Sequence, residues 1–332
     1  MSSVYRIFGN ELSPYSVKVR SYLRYKGIPH EWVVRTVAHE EEFRRLAKLP
    51  LIPLVVAPDG SVLQDSTPII ETLEARYPEP AIVPPDPALA FVSALLEEYA
   101  DEWGNKPMFH YRWFREIDQQ SGAERIARSL NPEMPADVLP TAIEAVKARM
   151  IPRLRFVGST PETAGVIEAS FRRELRLLEA HLAGRSYCFG GRPALADFGL
   201  WGQLYELSSD PTPGAILRAE APAVLAWIER MLNPRSLGDW EPWETLEPTL
   251  QPLLREEVGG VFLPWTRANA RALEAGESSF RVTLHGAVFS QEPQRYHAKS
   301  FGVLRQRYAA LPDRGRLDAI LERAGCLAGL RD

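Results

Sequence analysis

Three short segments in the first seventy residues carry side chains that suit binding and reacting with a small polar ligand: Ser13-Pro14-Tyr15-Ser16, Leu51-Ile52-Pro53-Leu54 and Gln64-Asp65-Ser66-Thr67-Pro68. The serine-proline pair reads as the start of a helix, where backbone N–H groups and the helix dipole favour a developing anion beside the Ser13 hydroxyl. Serine is also an ordinary N-cap, and residue type alone does not separate the two uses. A proline opening a strand belongs at an edge, a strand start or a cis turn. With a cis Ile52–Pro53 bond, Ile52 presents its backbone N–H and C=O to an extended peptide, in the manner of strand addition; a trans proline serves a strand start equally well. Asp65 and Ser66 cluster at a second helix start. N–H groups with a hydroxyl suit a carboxylate and Asp65 suits an ammonium, the two charges of an amino-acid end; capping is again the alternative use.

The elements that must position these segments follow from the local patterns. Val4-Tyr5-Arg6-Ile7-Phe8 alternates as a strand ending at Gly9-Asn10, and the helix from Ser13 stops near Gly27. A strand at Glu31 to Val34, a helix over Glu40 to Ala47, and a strand at Leu54 to Val56 follow. Pro58-Asp59-Gly60 turns that strand into Val62-Leu63, and a helix over Ser66 to Arg76 closes the run. A mixed sheet with helices on its faces accommodates that order economically. Tyr77-Pro78-Glu79-Pro80 and Pro84-Pro85-Asp86-Pro87 then form a proline-dense linker. Beyond it the periodicity is helical: Ala88 to Trp103, Asp137 to Phe156, Ala164 to Leu182, Asp197 to Leu207, Ala223 to Leu232, Leu246 to Ala275 and Tyr296 to Ala310, interrupted by a strand pair around His285-Gly286. The expected division is a domain over 1–80 and a helical domain over 88–332, with an added region from about residue 240.

Bulk properties narrow the function. With 332 residues, 45% hydrophobic and 25% charged, the chain is long enough for two domains and too apolar for disorder. A net charge of −4 gives no electrostatic case for nucleic acid or an anionic membrane, and no apolar stretch approaches a membrane span. Cys188 and Cys326 are too few for a disulfide framework, the six histidines have no metal-ligand spacing, and no glycine loop cradles a phosphate. The opening residues lack the basic flank and apolar run of a secretory signal. A cytoplasmic protein without a metal is the expectation.

Taken in order and spacing, Ser-Pro-Tyr-Ser-Val-Lys-Val-Arg-Ser-Tyr-Leu, then Ile-Pro-Leu-Val, then Leu-Gln-Asp-Ser-Thr-Pro-Ile-Ile-Glu-Thr-Leu resembles the glutathione-binding domain of the glutathione transferase superfamily. The resemblance covers roughly Val4 to Pro78 and continues more loosely to Arg192-Pro-Ala-Leu-Ala-Asp-Phe198, which is similar to that family's capping-box motif. It implies a thioredoxin-like α/β domain followed by an all-α domain, with glutathione as co-substrate, and a homodimer. It also implies roles: Ile52 before cis Pro53 for the cysteinyl backbone, Asp65 and Ser66 for the γ-glutamyl end, and Ser13 facing the sulfur. Pro50-Leu51 stands where many relatives have Gly-Lys, leaving Lys48 as the substitute contact to the glycyl carboxylate. In the capping motif Ala194 replaces Ser or Thr, so Asp197 is expected to lack its reciprocal partner, at about 1 kcal/mol.

With serine at the reactive position and no cysteine in the first 187 residues, thiol–disulfide chemistry by an enzyme nucleophile is excluded there. A hydroxyl can instead donate to the glutathione thiolate, with Tyr15 and Ser16 as rivals of Ser13. The electrophile pocket is expected between the domains, lined by Tyr15, Phe109, Tyr111 and Trp113; such aromatics serve equally as core. Relatives commonly finish soon after the helix containing Trp227, whereas this chain runs about a hundred residues further, with Trp240, Trp243, Trp265, Phe289, Tyr296 and His297 in the excess. Those residues call for an ordered appendage packed on the helical domain. Two readings follow: a transferase joining glutathione to a small hydrophobic electrophile, and a non-catalytic binding or assembly module in which Ser13 only caps.

Overall fold

The computed structural model describes residues 4–331. Its first domain runs β1 (Tyr5–Gly9), α1 (Pro14–Tyr25), β2 (His30–Val34), α2 (Glu40–Leu46), β3 (Leu54–Val56), β4 (Val62–Gln64) and α3 (Ser66–Arg76). The sheet order is β2-β1-β3-β4, with β1 parallel to β2 and antiparallel to β3, and β3 antiparallel to β4. Alternation along β1 sends Ile7 to the face covered by α1 and α3, with Val17, Val19, Tyr22, Val55 and Ile69, and sends Phe8 to the other face with Val33, Phe43 and Leu54. Because β1 and β3 run oppositely, the end of β1, the start of β3 and the end of β4 lie at one edge of the sheet. That is where the three candidate segments meet.

The helical domain runs α4 (Pro87–Tyr99), α5 (Asn105–Phe114), α6 (Glu116–Leu130), α7 (Leu139–Met150), α8 (Ala164–Leu182), α9 (Leu195–Ser209), α10 (Pro211–Glu220) and α11 (Pro222–Met231). Helix α9 is buried on nearly every side, as its apolar composition dictates. Helix α1 crosses it so closely that a Cβ on Gly202 would lie 2.7 Å from the Pro14 carbonyl oxygen. A buried ion triad joins the domains: the Lys18 ammonium reaches Glu97 Oε1 at 2.5 Å and Asp101 Oδ2 at 2.6 Å. Burial opposes that charge, and the two carboxylates overcome it and hold the lysine protonated.

The last ninety residues form α12 (Trp243–Leu253), α13 (Leu263–Ala275), the hairpin β5 (Phe280–Leu284) and β6 (Ala287–Gln291), α14 (Arg295–Ala310), α15 (Gly315–Arg323) and α16 (Leu327–Arg331). They pack onto the helical domain: Trp243, Trp265, Phe289, Leu304, Leu317 and Leu321 are buried in one core with α4 and α8. Between α12 and α13, and again between α4 and α5, the helix widens into a π turn, over Leu254–Phe262 and Ala100–Gly104. The expected single helix over Leu246 to Ala275 is therefore continuous but changes its winding on the way. Helices α5, α6, α10, α15 and α16 lie outside the helices expected from the sequence.

The reciprocal hydroxyl that Asp197 is expected to lack is indeed absent, since Ala194 has no side-chain acceptor, but the carboxylate itself is fully bonded. Its Oδ2 accepts from the Ala194 N–H at 2.9 Å, and its Oδ1 accepts from the Cys188 N–H and the Trp227 indole N–H, each at 2.9 Å. Burial pushes the carboxyl up to about 6 against these three donors. The missing hydroxyl at Ala194 leaves the carboxylate satisfied from three elements at once.

Candidate glutathione site

Ser13 caps α1, as its place before Pro14 requires: its Oγ accepts from the Ser16 N–H at 3.3 Å. It also accepts from the buried Ser16 hydroxyl at 3.0 Å. A hydroxyl oxygen has two lone pairs and one proton. Both acceptor positions of Ser13 are thereby filled, and what remains is a donor at a helix N-terminus. The loop before it is shaped from both sides: Asn10 Oδ1 accepts from Leu12 N–H, Asn10 Nδ2 donates to Ser129 Oγ of α6 at 2.9 Å, and Arg112 donates to the Leu12 carbonyl at 3.1 Å.

Tyr15 is turned away from this chemistry. Its hydroxyl donates to the Asp101 carbonyl at 2.9 Å, an oxygen within the π turn after α4. Burial, reinforced by the Asp101 and Glu102 charges, raises the phenol well above its usual range, so it stays a hydrogen-bond donor. Ser16 is engaged with Ser13. Of the three rivals, Ser13 is the one left with a proton to give.

The Ile52–Pro53 peptide is cis, as is Glu79–Pro80. The residues leading into it are splinted by Gln64: its Nε2 donates to the Leu49 and Leu51 carbonyls, both at 2.7 Å, and its Oε1 accepts from Leu49 N–H at 3.1 Å. Asp65 N–H donates to the Pro53 carbonyl at 3.4 Å, tying the second segment to the third. Asp65 itself has φ 80°, a left-handed conformation that a non-glycine residue holds at about 1–3 kcal/mol and that concentrates at ligand sites. Its side chain makes no capping bond to α3; it accepts from the Tyr296 hydroxyl at 3.0 Å. Ser66 opens α3 at 1% exposure, and its Oγ has no hydrogen-bond partner among the described residues. Buried hydroxyls are nearly always satisfied, so an unmet one at a helix start suits a ligand carboxylate. Lys48 stands exposed in the loop after α2.

The expected aromatic wall is corrected in part. Tyr111 and Trp113 are each 1% exposed; Tyr111 packs edge-on to Phe171 at 5.1 Å, and Trp113 packs with Ala123 and Ile143. Neither ring keeps the free face that a pocket wall needs: α8 covers Tyr111 through Phe171, and α6 and α7 cover Trp113 through Ala123 and Ile143. Phe109 is half-buried and tilted against Trp113 at 6.2 Å. Tyr15 is also half-buried. Two roles were missed: Gln64 lies inside the third segment, but its bonds to a backbone stretch up to fifteen residues away carry no local signal, and Tyr296 lies 231 positions beyond Asp65.

Residues 7–81 match the family model for the glutathione S-transferase N-terminal domain, and residues 136–230 match the one for the C-terminal domain, together just over half of the chain. The chain belongs to the glutathione transferase superfamily. As an enzyme it is a transferase of that superfamily. One curated relative is the isoprene-epoxide–glutathione S-transferase of Rhodococcus sp. strain AD45, 24% identical over 230 residues, which are 67% of this chain and 92% of that protein. A glutathione S-transferase structure from Rhodospirillum rubrum is 19% identical at a TM-score of 0.46, covering 90% of this chain and 99% of that one. Another, from Methylobacterium radiotolerans in complex with glutathione sulfonate, is 21% identical at a TM-score of 0.44, covering 72% and 97%. Within this glutathione transferase, the family match ends at Met231's helix, so residues 232–331 lie outside both matched domains. Among the described residues no helix is long and apolar enough to cross a membrane.

Proposed function

We propose that this protein binds glutathione across the edge of the first-domain sheet and activates its thiolate for attack on a small hydrophobic electrophile, with Ser13 as the donor. The observation that carries the reading is the state of the Ser13 hydroxyl: with both lone pairs filled by Ser16, its proton is the part available to a ligand. A thiol of pKa about 8.5 is only a few per cent ionised at pH 7. Stabilising its thiolate by about 2.7 kcal/mol lowers that value by roughly 2 units and makes the thiolate the main form. The Ile52 backbone takes the cysteinyl residue, Asp65 the α-ammonium, and Ser66 with the first N–H groups of α3 the α-carboxylate, while Lys48 serves the glycyl carboxylate. The proposed co-substrate chemistry calls for no metal. Tyr15 and Phe109 offer apolar surface to the electrophile, and the Rhodococcus relative's name puts epoxides first among those to try.

The proposed location is the cytoplasm, and the proposed assembly is a homodimer. Helix α4, the apolar helix that follows the linker, is covered by α9, α14 and α15 of the same chain, so a dimer has to use another surface. Light scattering at micromolar concentration decides that part.

Ser13→Ala tests the central claim. The bound thiol pKa, followed by thiolate absorbance, should rise by about 2 units and turnover at pH 7 should fall about 25-fold, as the ionised fraction drops from about three quarters to a few per cent, with glutathione affinity little changed. Loss of the cap costs about 1 kcal/mol, so stability is measured alongside. An unchanged pH–rate profile would return Ser13 to a capping role. Glutathione binding without turnover of any electrophile in a broad panel would favour a binding module.

A further inference from the structure

The last hundred residues reach the glutathione site itself. At the start of α14 the Tyr296 hydroxyl donates to Asp65 Oδ2 at 3.0 Å, and the adjacent His297 bonds Glu102 in the π turn after α4. Behind this contact lies a rigid footing. His297 meets Trp265 edge-on at 4.9 Å, Trp265 meets Trp103 at 5.5 Å, and the Lys106 ammonium sits 4.0 Å above the Trp265 ring while donating to Gln291 Oε1 at 2.8 Å. Further along α14, Ser300 bonds Glu98 and Arg307 pairs with Glu71 of α3. Between α3, α4 and α14 these contacts leave a cavity of about 190 Å³, lined by Asp65, Thr67, Glu98, Glu102, Tyr296 and Lys299 among others.

We propose that Tyr296 is a positioning residue for glutathione: by holding one oxygen of Asp65, it aims the other at the tripeptide's α-ammonium, so that the ligand is gripped between the first domain and the C-terminal extension of the same chain. This rests on the reading of the site given above. Three features support it. Asp65 caps nothing in its own helix, so its carboxylate has no local bond to orient it. A carboxylate accepts several hydrogen bonds, so a phenol on Oδ2 and an ammonium on Oδ1 are compatible. Loss of water around the hydroxyl, and then the Asp65 charge, raise the Tyr296 phenol above its usual range although the ring is largely exposed, and the group donates to Asp65. Hydrogen bonds to charged groups are roughly twice as strong as neutral ones, and losing this one lets Asp65 sample other rotamers.

The test compares the full-length protein with Tyr296→Phe, which keeps the ring and removes the donor. Calorimetry with glutathione and steady-state rates should show Kd and KM for glutathione raised threefold to tenfold, with kcat and the KM of the electrophile unchanged. Glutaryl-Cys-Gly, which lacks only the α-amino group, should bind the two proteins equally. Equal glutathione affinity in both, tighter binding by the variant, or the same loss with glutaryl-Cys-Gly would each overturn the proposal. If the unmodified protein fails to bind glutathione at all, the reading of the site falls first and this inference falls with it.

Discussion

The two ends of the candidate site are built in opposite ways. At the thiol end, Ser13 and the residue that bonds its hydroxyl lie within four consecutive residues, and one turn of helix makes both bonds to that oxygen. At the γ-glutamyl end, Asp65 is fitted with a partner 231 positions away, carried on a helix beyond both matched domains. Geometry set by a helix start survives rearrangement elsewhere, because the cap moves with the helix. Geometry set between distant elements holds only while the whole chain is packed.

The severest challenge to this contrast is Lys18→Met. It leaves Glu97 and Asp101 at the domain junction without their cation, and breaking a buried pair costs about 3–5 kcal/mol. Urea unfolding should register that loss, while the pKa of the bound thiol stays where it was. A shifted thiol pKa would mean that the thiol end is not local after all.

A smaller effect is expected from Ser16→Ala. One hydrogen bond to Ser13 disappears, worth about 1 kcal/mol, so turnover at pH 7 should fall about fivefold with glutathione KM unchanged. Ser16→Thr, which keeps a hydroxyl at the same place, should restore much of the rate. Equal rates in Ser16→Ala and the unmodified protein would mean that Ser13 needs no help in directing its proton.

The mildest test concerns the seam that holds the extension. Glu174 of α8 is pushed up to about 8, first by burial and then by the neighbouring Glu257 of the extension. An acid whose folded pKa is raised stabilises most below its unfolded value, near 4.5, and loses that contribution as pH rises towards 8. The slope is about 1.4 kcal/mol per pH unit for one proton. Melting temperature should therefore fall between pH 5 and 8, and Glu174→Gln should flatten part of the fall. An unflattened profile would place the titration elsewhere.

How much was legible follows the same division. The sheet edge was readable because its instructions are local: a serine before a proline, an Ile-Pro pair, a Pro-Asp-Gly turn. Helix α6 was not, because Glu-Ile-Asp-Gln-Gln-Ser-Gly-Ala-Glu-Arg-Ile-Ala-Arg-Ser-Leu has few large apolar residues and a mid-helix glycine; there Gly122 lies against Arg112, a contact that only the tertiary fold supplies. Tyr111 and Trp113 were ambiguous for a related reason, since an aromatic run looks alike whether neighbouring helices cover it or solvent reaches it. At Asp197 the motif departed from its usual form, and compensation came from Cys188 and Trp227, one on either side in sequence. The bond between Tyr296 and Asp65 has no sequence signature, as two common residues far apart announce nothing about each other.

The approach of Gly202 to Pro14 bears on how such a protein can change over evolutionary time. Two domains that meet through loose, watery surfaces can be exchanged between relatives like interchangeable parts. Here the helix that carries Ser13 rests backbone against backbone on α9, at a spot where any side chain larger than hydrogen collides with a carbonyl. A first domain borrowed from another family member would seat correctly only on a helix that also offers glycine at that crossing. The two halves of this molecule are therefore bound to diversify together, and recombination within the family should respect that pairing.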